Sequence, residues 1–142
     1  MKKADLLILS LFVIFVWTFL SGLFLSVYYI PTFTQAFSSV ERLNDQIPFG
    51  WLIRRIHGVA GNLLLILMLL NLLYLYFSGD YKIYSRSSWV KEMLLLVMGV
   101  MANFTGSLLP LSQSAFWGTV TVLSSLSSIP WIGNIIVDLL RG

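Results

Sequence analysis

The sequence has no cysteine and one histidine, His57. Without cysteine there are no disulfides, no thiolate metal sites and no thioether-linked haem. Charge is also scarce. Only 11% of residues are Asp, Glu, Lys or Arg, roughly half the share of an ordinary soluble domain. The acids Asp5, Glu92 and Asp138 stand alone, and no hydrolase, nucleotide-binding or metal-cluster motif is present. The net charge of +3 does not point to nucleic acid, because the basic residues sit at the ends of apolar runs. What is abundant is hydrophobic side chain, 58% of the residues, with a mean hydropathy of +0.87. The chain reads as one all-α integral membrane domain, residues 1–142.

Three segments have the length and composition of membrane spans: about 6–30, 56–77 and 90–109. The first is too long for the roughly 7–15 apolar residues of a signal peptide, so it reads as a retained helix. Each span has a stop. Pro31 and Pro110 remove the donor that would continue a helix, and Ser78-Gly79-Asp80 favours a turn. Lys2 and Lys3 precede span one, and Lys82, Arg86 and Lys91 lie between spans two and three. The positive-inside rule puts both regions on the cytoplasmic side, with the 31–55 loop and the tail outside. Arg42, Arg54 and Arg55 oppose that bias and need another explanation. The serine-rich tail, interrupted by Pro130 and Gly133, suits interfacial helices at about 113–126 and 133–140 rather than a fourth span.

His57 lies just inside the outer end of span two, in the stretch WLIRRIHGVAGNLLLILMLLN. On spacing alone it has two readings. It is a snorkelling interfacial side chain, or it is an axial haem ligand. In the second case Arg54, one turn earlier, suits a propionate. Gly22 and Gly106 fall at the same depth on the flanking spans, where a flat macrocycle needs the backbones close. Ordinary small-residue helix packing would also explain them.

The segments SGLFLSVYY (21–29), AFSSV (36–40), GWLIRRIH (50–57), FTGSLLP (104–110), QSAFWGTV (113–120) and SSIPWIG (127–133) occur in the order found in a known family. Together they resemble cytochrome b of the quinol–cytochrome c oxidoreductase type, over helices A to C and the loop helices that follow. In that family four helices hold two stacked haems, and helix B carries one histidine for each, fourteen residues apart. Fourteen residues rise ~21 Å and return close to the same helix face. The resemblance implies that His57 is the axial ligand of the outer, low-potential b-type haem. It also implies that Arg54 binds a propionate and that Gly22 and Gly106 make room for the ring.

The inner, high-potential site departs from the pattern. Its ligand position is Asn71, its two glycine positions are Ile8 and Glu92, and its usual basic residue is Tyr74. An amide is a poor iron ligand, and the side chains at 8 and 92 occupy space that a macrocycle would need. The resemblance therefore implies one haem, at the outer site, with the inner site lost. The sequence stops at Gly142, where the family begins helix D. Another chain would then supply the distal ligand, or His57 holds iron alone, or no haem binds.

Phe116, Trp117 and Gly118 match one wall of the family's outer quinol pocket, which makes a quinone a further candidate ligand. The departures are Leu111-Ser112 within the usual Pro-Trp-Gly-Gln and Ser107 in place of Tyr. An interfacial aromatic belt explains the same residues. The implied function is an electron-transfer subunit of a larger respiratory or photosynthetic redox complex. Its expected location is a bacterial inner or other energy-transducing membrane. A haem-free scaffold and one half of a split cytochrome b are the alternatives.

Overall fold

A computed structural model describes residues 3–79 and 86–141. Among the described residues, all regular structure is helical. The described residues form six helices: α1 (Lys3–Tyr28), α2 (Ala36–Gln46), α3 (Gly50–Ser78), α4 (Arg86–Leu108), α5 (Gln113–Ser127) and α6 (Gly133–Arg141). Lys2, Asp80, Lys82 and Gly142 lie outside the described residues.

The helix ends follow the sequence. Tyr29 N–H still reaches the Leu25 carbonyl at 3.1 Å, and Pro31 then ends the ladder of α1. Gly79 ends α3 in the left-handed region, φ 76°, with its N–H 3.4 Å from the Tyr76 carbonyl. Ser112 opens α5 as its N-cap, its Oγ accepting from Ala115 N–H at 3.3 Å. Hydroxyls inside the apolar helices bond their own backbone. Thr18 donates to the Ile14 carbonyl at 2.8 Å and Ser21 to that of Trp17 at 2.7 Å, so neither exposes an unpaired O–H to hydrocarbon.

Two helices among the described residues, α1 from Asp5 onward and α3, are long and apolar enough to cross a membrane. At 1.5 Å per residue, the 29 residues of α3 extend ~44 Å, beyond the ~30 Å of a hydrocarbon core. The third expected span falls on a helix, α4, which is not among those two. Its 23 residues give it the length, but Lys91, Glu92 and Asn103 leave it less apolar than the other two. The two tail helices appear as α5 and α6, within a residue of the expected bounds.

The stretch expected as a loop, 31–55, is mostly helix. α2 occupies 36–46, and α3 begins at Gly50, about a turn and a half ahead of the expected span. Ala36, Ser39 and Leu43 are the buried face of α2. The chain then reverses sharply. Phe49 takes a left-handed conformation, φ 61°, and a Cβ on Gly50 would overlap the Leu43 carbonyl. Only glycine allows α3 to start this close to α2.

α3 is the central element and packs against α1, α4 and α2. It runs antiparallel to both long neighbours. His57 meets Thr18 and Ser21 of α1, while Asn62 meets Asn103 and Leu65 meets Gly99 of α4. Within the described residues α1 and α4 do not pack on each other, so a cleft opens between them over α3. Tyr29 closes its outer end by donating to the Leu109 carbonyl at 2.8 Å.

Among the described residues few apolar side chains are buried: Ala36, Leu43, Ala60 and Val137. Phe12, Trp17, Val27 and many others are more than half exposed. Helices that are apolar all round need an apolar surrounding. Together with the spans, this defines an integral membrane protein whose outward faces meet lipid or neighbouring helices.

Candidate functional site

The four residues expected at the outer haem level come together. Gly22 from α1, Arg54 and His57 from α3, and Gly106 from α4 line one cavity of about 320 Å³, within the usual range of ligand pockets. Leu25, Val40, Leu43 and Leu109 add apolar wall, with α2 lying across one end.

His57 is held from one side. Its Nδ1 lies 3.0 Å from the Thr18 carbonyl and 3.0 Å from Ser21 Oγ. A backbone carbonyl only accepts, so Nδ1 carries the ring proton. Ser21 Oγ spends its own proton on the Trp17 carbonyl at 2.7 Å, so toward Nδ1 it too accepts. A neutral ring in this tautomer has its lone pair on Nε2, which makes no hydrogen bond among the described residues. Metal-binding histidines are fixed in this way, with the far N–H donated to a carbonyl. Thr18 and Ser21 are site residues that sequence reading missed. A hydroxyl beside the Gly22 position, at the depth of the histidine, was the available signal.

The two glycines act differently. A Cβ on Gly22 would stand 3.0 Å from His57 Cε1 and 3.6 Å from Nδ1. Gly22 therefore admits the imidazole itself. A Cβ on Gly106 would meet nothing within 4 Å, so Gly106 keeps open space open. Arg54 forms no ion pair among the described residues. It also borders a polar groove with Asn44, Asp45, Arg55 and Asn62. A guanidinium without a carboxylate partner, at the mouth of an apolar cleft, is suited to an anionic group.

The inner level is different. Asn71 is buried, 5% exposed, and makes no side-chain hydrogen bond among the described residues. Ile8 is more than half exposed, while Tyr74 and Glu92 are half-buried. None of Ile8, Asn71 and Glu92 lines the His57 cavity or the polar groove beside Arg54. Between the levels α3 and α4 are close. A Cβ on Gly99 would sit 3.1 Å from Leu65 and 3.3 Å from the Met68 sulfur. Phe116, Trp117 and Gly118 are exposed on α5, with the two rings edge to face at 5.6 Å. They do not line the His57 cavity.

The fold and site define a helical membrane bundle with one imidazole presented to an apolar cleft. The family model for cytochrome b/b6/petB matches residues 6–142, and the chain belongs to that family. It is 37% identical over 122 residues to cytochrome b6 of Euglena gracilis, covering 86% of this chain and 57% of the relative. It is equally identical over 124 residues to cytochrome b6 of Gloeobacter violaceus, covering 87% and 58%. It thus spans a little under three-fifths of these relatives. Among solved structures it is similar to a chain of a hyperthermophilic respiratory Complex III. There the TM-score is 0.83 and the identity 26%, over 93% of this chain and 34% of the other.

Proposed function

We propose that this chain is an electron-transfer subunit carrying one b-type haem at the outer level. His57 Nε2 would bind iron, Arg54 would pair with a propionate, and Gly22 and Gly106 would leave room for imidazole and ring. Bound there, haem supplies one-electron exchange between ferric and ferrous iron. The chain's residues supply the rest. Thr18 and Ser21 hold the ring proton on Nδ1, the apolar walls exclude water, and Arg54 offsets carboxylate charge. The observation that supports this reading is the pinned tautomer, which leaves Nε2 without a hydrogen bond among the described residues, on a ring that lines one cavity with Gly22, Arg54 and Gly106.

The inner haem is absent in this reading, because Asn71, Ile8 and Glu92 replace what it needs. The sequence has one histidine, so a second imidazole ligand comes from residues beyond this sequence, in a larger membrane redox complex. α4 crosses the membrane beside α1 and α3. The N-terminus faces the cytoplasm, and the His57 level and the tail lie toward the outer side of a bacterial inner or other energy-transducing membrane. A quinone would use the α5 aromatics only with a facing wall from a partner.

The test is a reduced-minus-oxidised spectrum with haem quantification on the complex purified through this subunit. One haem per copy, lost in His57→Ala while the complex still assembles, is the expected result. Assembly with an unchanged spectrum in that variant would instead support a haem-free scaffold.

A further inference from the structure

The imidazole N–H has more acceptor than it needs. One carbonyl, that of Thr18, already fixes the tautomer at 3.0 Å. Ser21 Oγ stands at the same distance from Nδ1. Its hydroxyl proton is directed along the helix to the Trp17 carbonyl at 2.7 Å, with the Thr18 carbonyl also near, at 3.0 Å. The serine is buried, 7% exposed, so water does not compete for its lone pairs. Its neighbour Gly22 lets the ring come this close, since any Cβ there would press on Cε1. The result is a shared hydrogen bond, in which one N–H faces two oxygens and one of those oxygens is itself polarised by donating onward.

From this geometry we infer that Ser21 is a positioning residue that sets the reduction potential of the iron bound by His57. The inference rests on the haem reading above. A second acceptor on Nδ1–H draws the proton away from the ring and makes Nε2 more basic. A more basic ligand stabilises ferric over ferrous iron, so Ser21 holds the potential down. The helix itself gains little from this hydroxyl, because a serine bond to the carbonyl four residues back is neutral to slightly unfavourable for a helix. Removing it therefore acts mainly on the imidazole.

The experiment uses the intact complex carrying Ser21→Ala, with Ser21→Thr as the conservative variant that keeps a hydroxyl. Haem content is measured first, then a potentiometric titration and the ferric electron paramagnetic resonance spectrum. The expected result is unchanged haem per chain, with a midpoint raised by up to about 59 mV in Ser21→Ala. That is a tenfold loss of ferric preference for one electron. The ferric signal should shift with the weaker ligand, and Ser21→Thr should restore both values. Full haem content with an unmoved midpoint and spectrum in Ser21→Ala overturns the inference and leaves the haem reading intact. Absence of haem from the wild-type subunit overturns the haem reading instead. A variant that loses haem is read through Ser21→Thr. If that variant also loses haem, the hydroxyl is not what matters and the inference fails.

Discussion

Gly22 and Gly106 occupy matching positions on α1 and α4, yet the structure separates their roles, and alanine at each makes the difference measurable. At Gly22 the new methyl would lie 3.0 Å from His57 Cε1, about half an ångström inside the optimum of ~3.5–4.0 Å between carbons. The ring cannot retreat freely, because two oxygens hold Nδ1. Overpacking of this kind costs about 1–3 kcal/mol. At Gly106 the methyl meets nothing within 4 Å. Both variants gain the same helix propensity, about 1 kcal/mol or less, so it cancels in the comparison. Gly22→Ala should therefore be less stable than Gly106→Ala by about 1–3 kcal/mol. Thermal melts of the purified complex followed by circular dichroism would read this, with haem per chain measured alongside. Gly106→Phe extends the test. It should expel haem by filling the cavity while leaving the helical content in place. Equal melts for the two alanine variants would refute the steric reasoning at Gly22. A full haem complement in Gly106→Phe would show that the cavity is not where haem sits.

Two further outcomes test the site at its edges. Arg54→Ala should weaken haem retention about tenfold to a hundredfold, the equivalent of losing one charge-assisted hydrogen bond of ~1.5–3 kcal/mol. Transfer of haem to an apoprotein acceptor measures this, and Arg54→Lys should recover only part because an ammonium lacks the planar fork. Asn71→His alone should not add a second haem per chain, since Ile8 and Glu92 remain. Haem quantification that doubles in this single variant would show that the inner chamber is still open.

Much of the bundle was legible because hydrophobic run length, proline and glycine report directly on membrane helices. The break between α5 and α6 followed from Pro130 and Gly133. Gly22, His57 and Gly106 were legible as one level from their equal depth on antiparallel spans, and Arg54 from its place one turn before His57. α2 was missed. Its short amphipathic pattern, with Ala36, Ser39 and Leu43 on the buried face, is small beside three apolar runs, and the polar residues between them read as loop. The Thr18–His57 bond was not legible, because a backbone carbonyl carries no signature in the residue that owns it. The lower hydropathy of α4 was visible in Lys91, Glu92 and Asn103 but was outweighed by its length.

The polar side chains of α3 show why one level of the bundle can change without disturbing the other. His57 is satisfied at Nδ1 by α1, and Asn62 shares a hydrogen bond of 3.2 Å with Asn103 of α4. Each bond ties one neighbour to the central helix within the outer half of the bundle. Asn71 makes no such tie among the described residues, so the inner half depends on apolar packing such as Leu65 and Met68 against Gly99. The rise from 57 to 71 is ~21 Å. That is well beyond the ~7–10 Å over which substitutions usually couple. Bulk at Ile8, charge at Glu92 and an amide at Asn71 therefore leave the geometry around His57 untouched. Among the described residues the outer cleft is lined from α1, α2, α3 and α4, and none of that lining reaches to the level of Asn71.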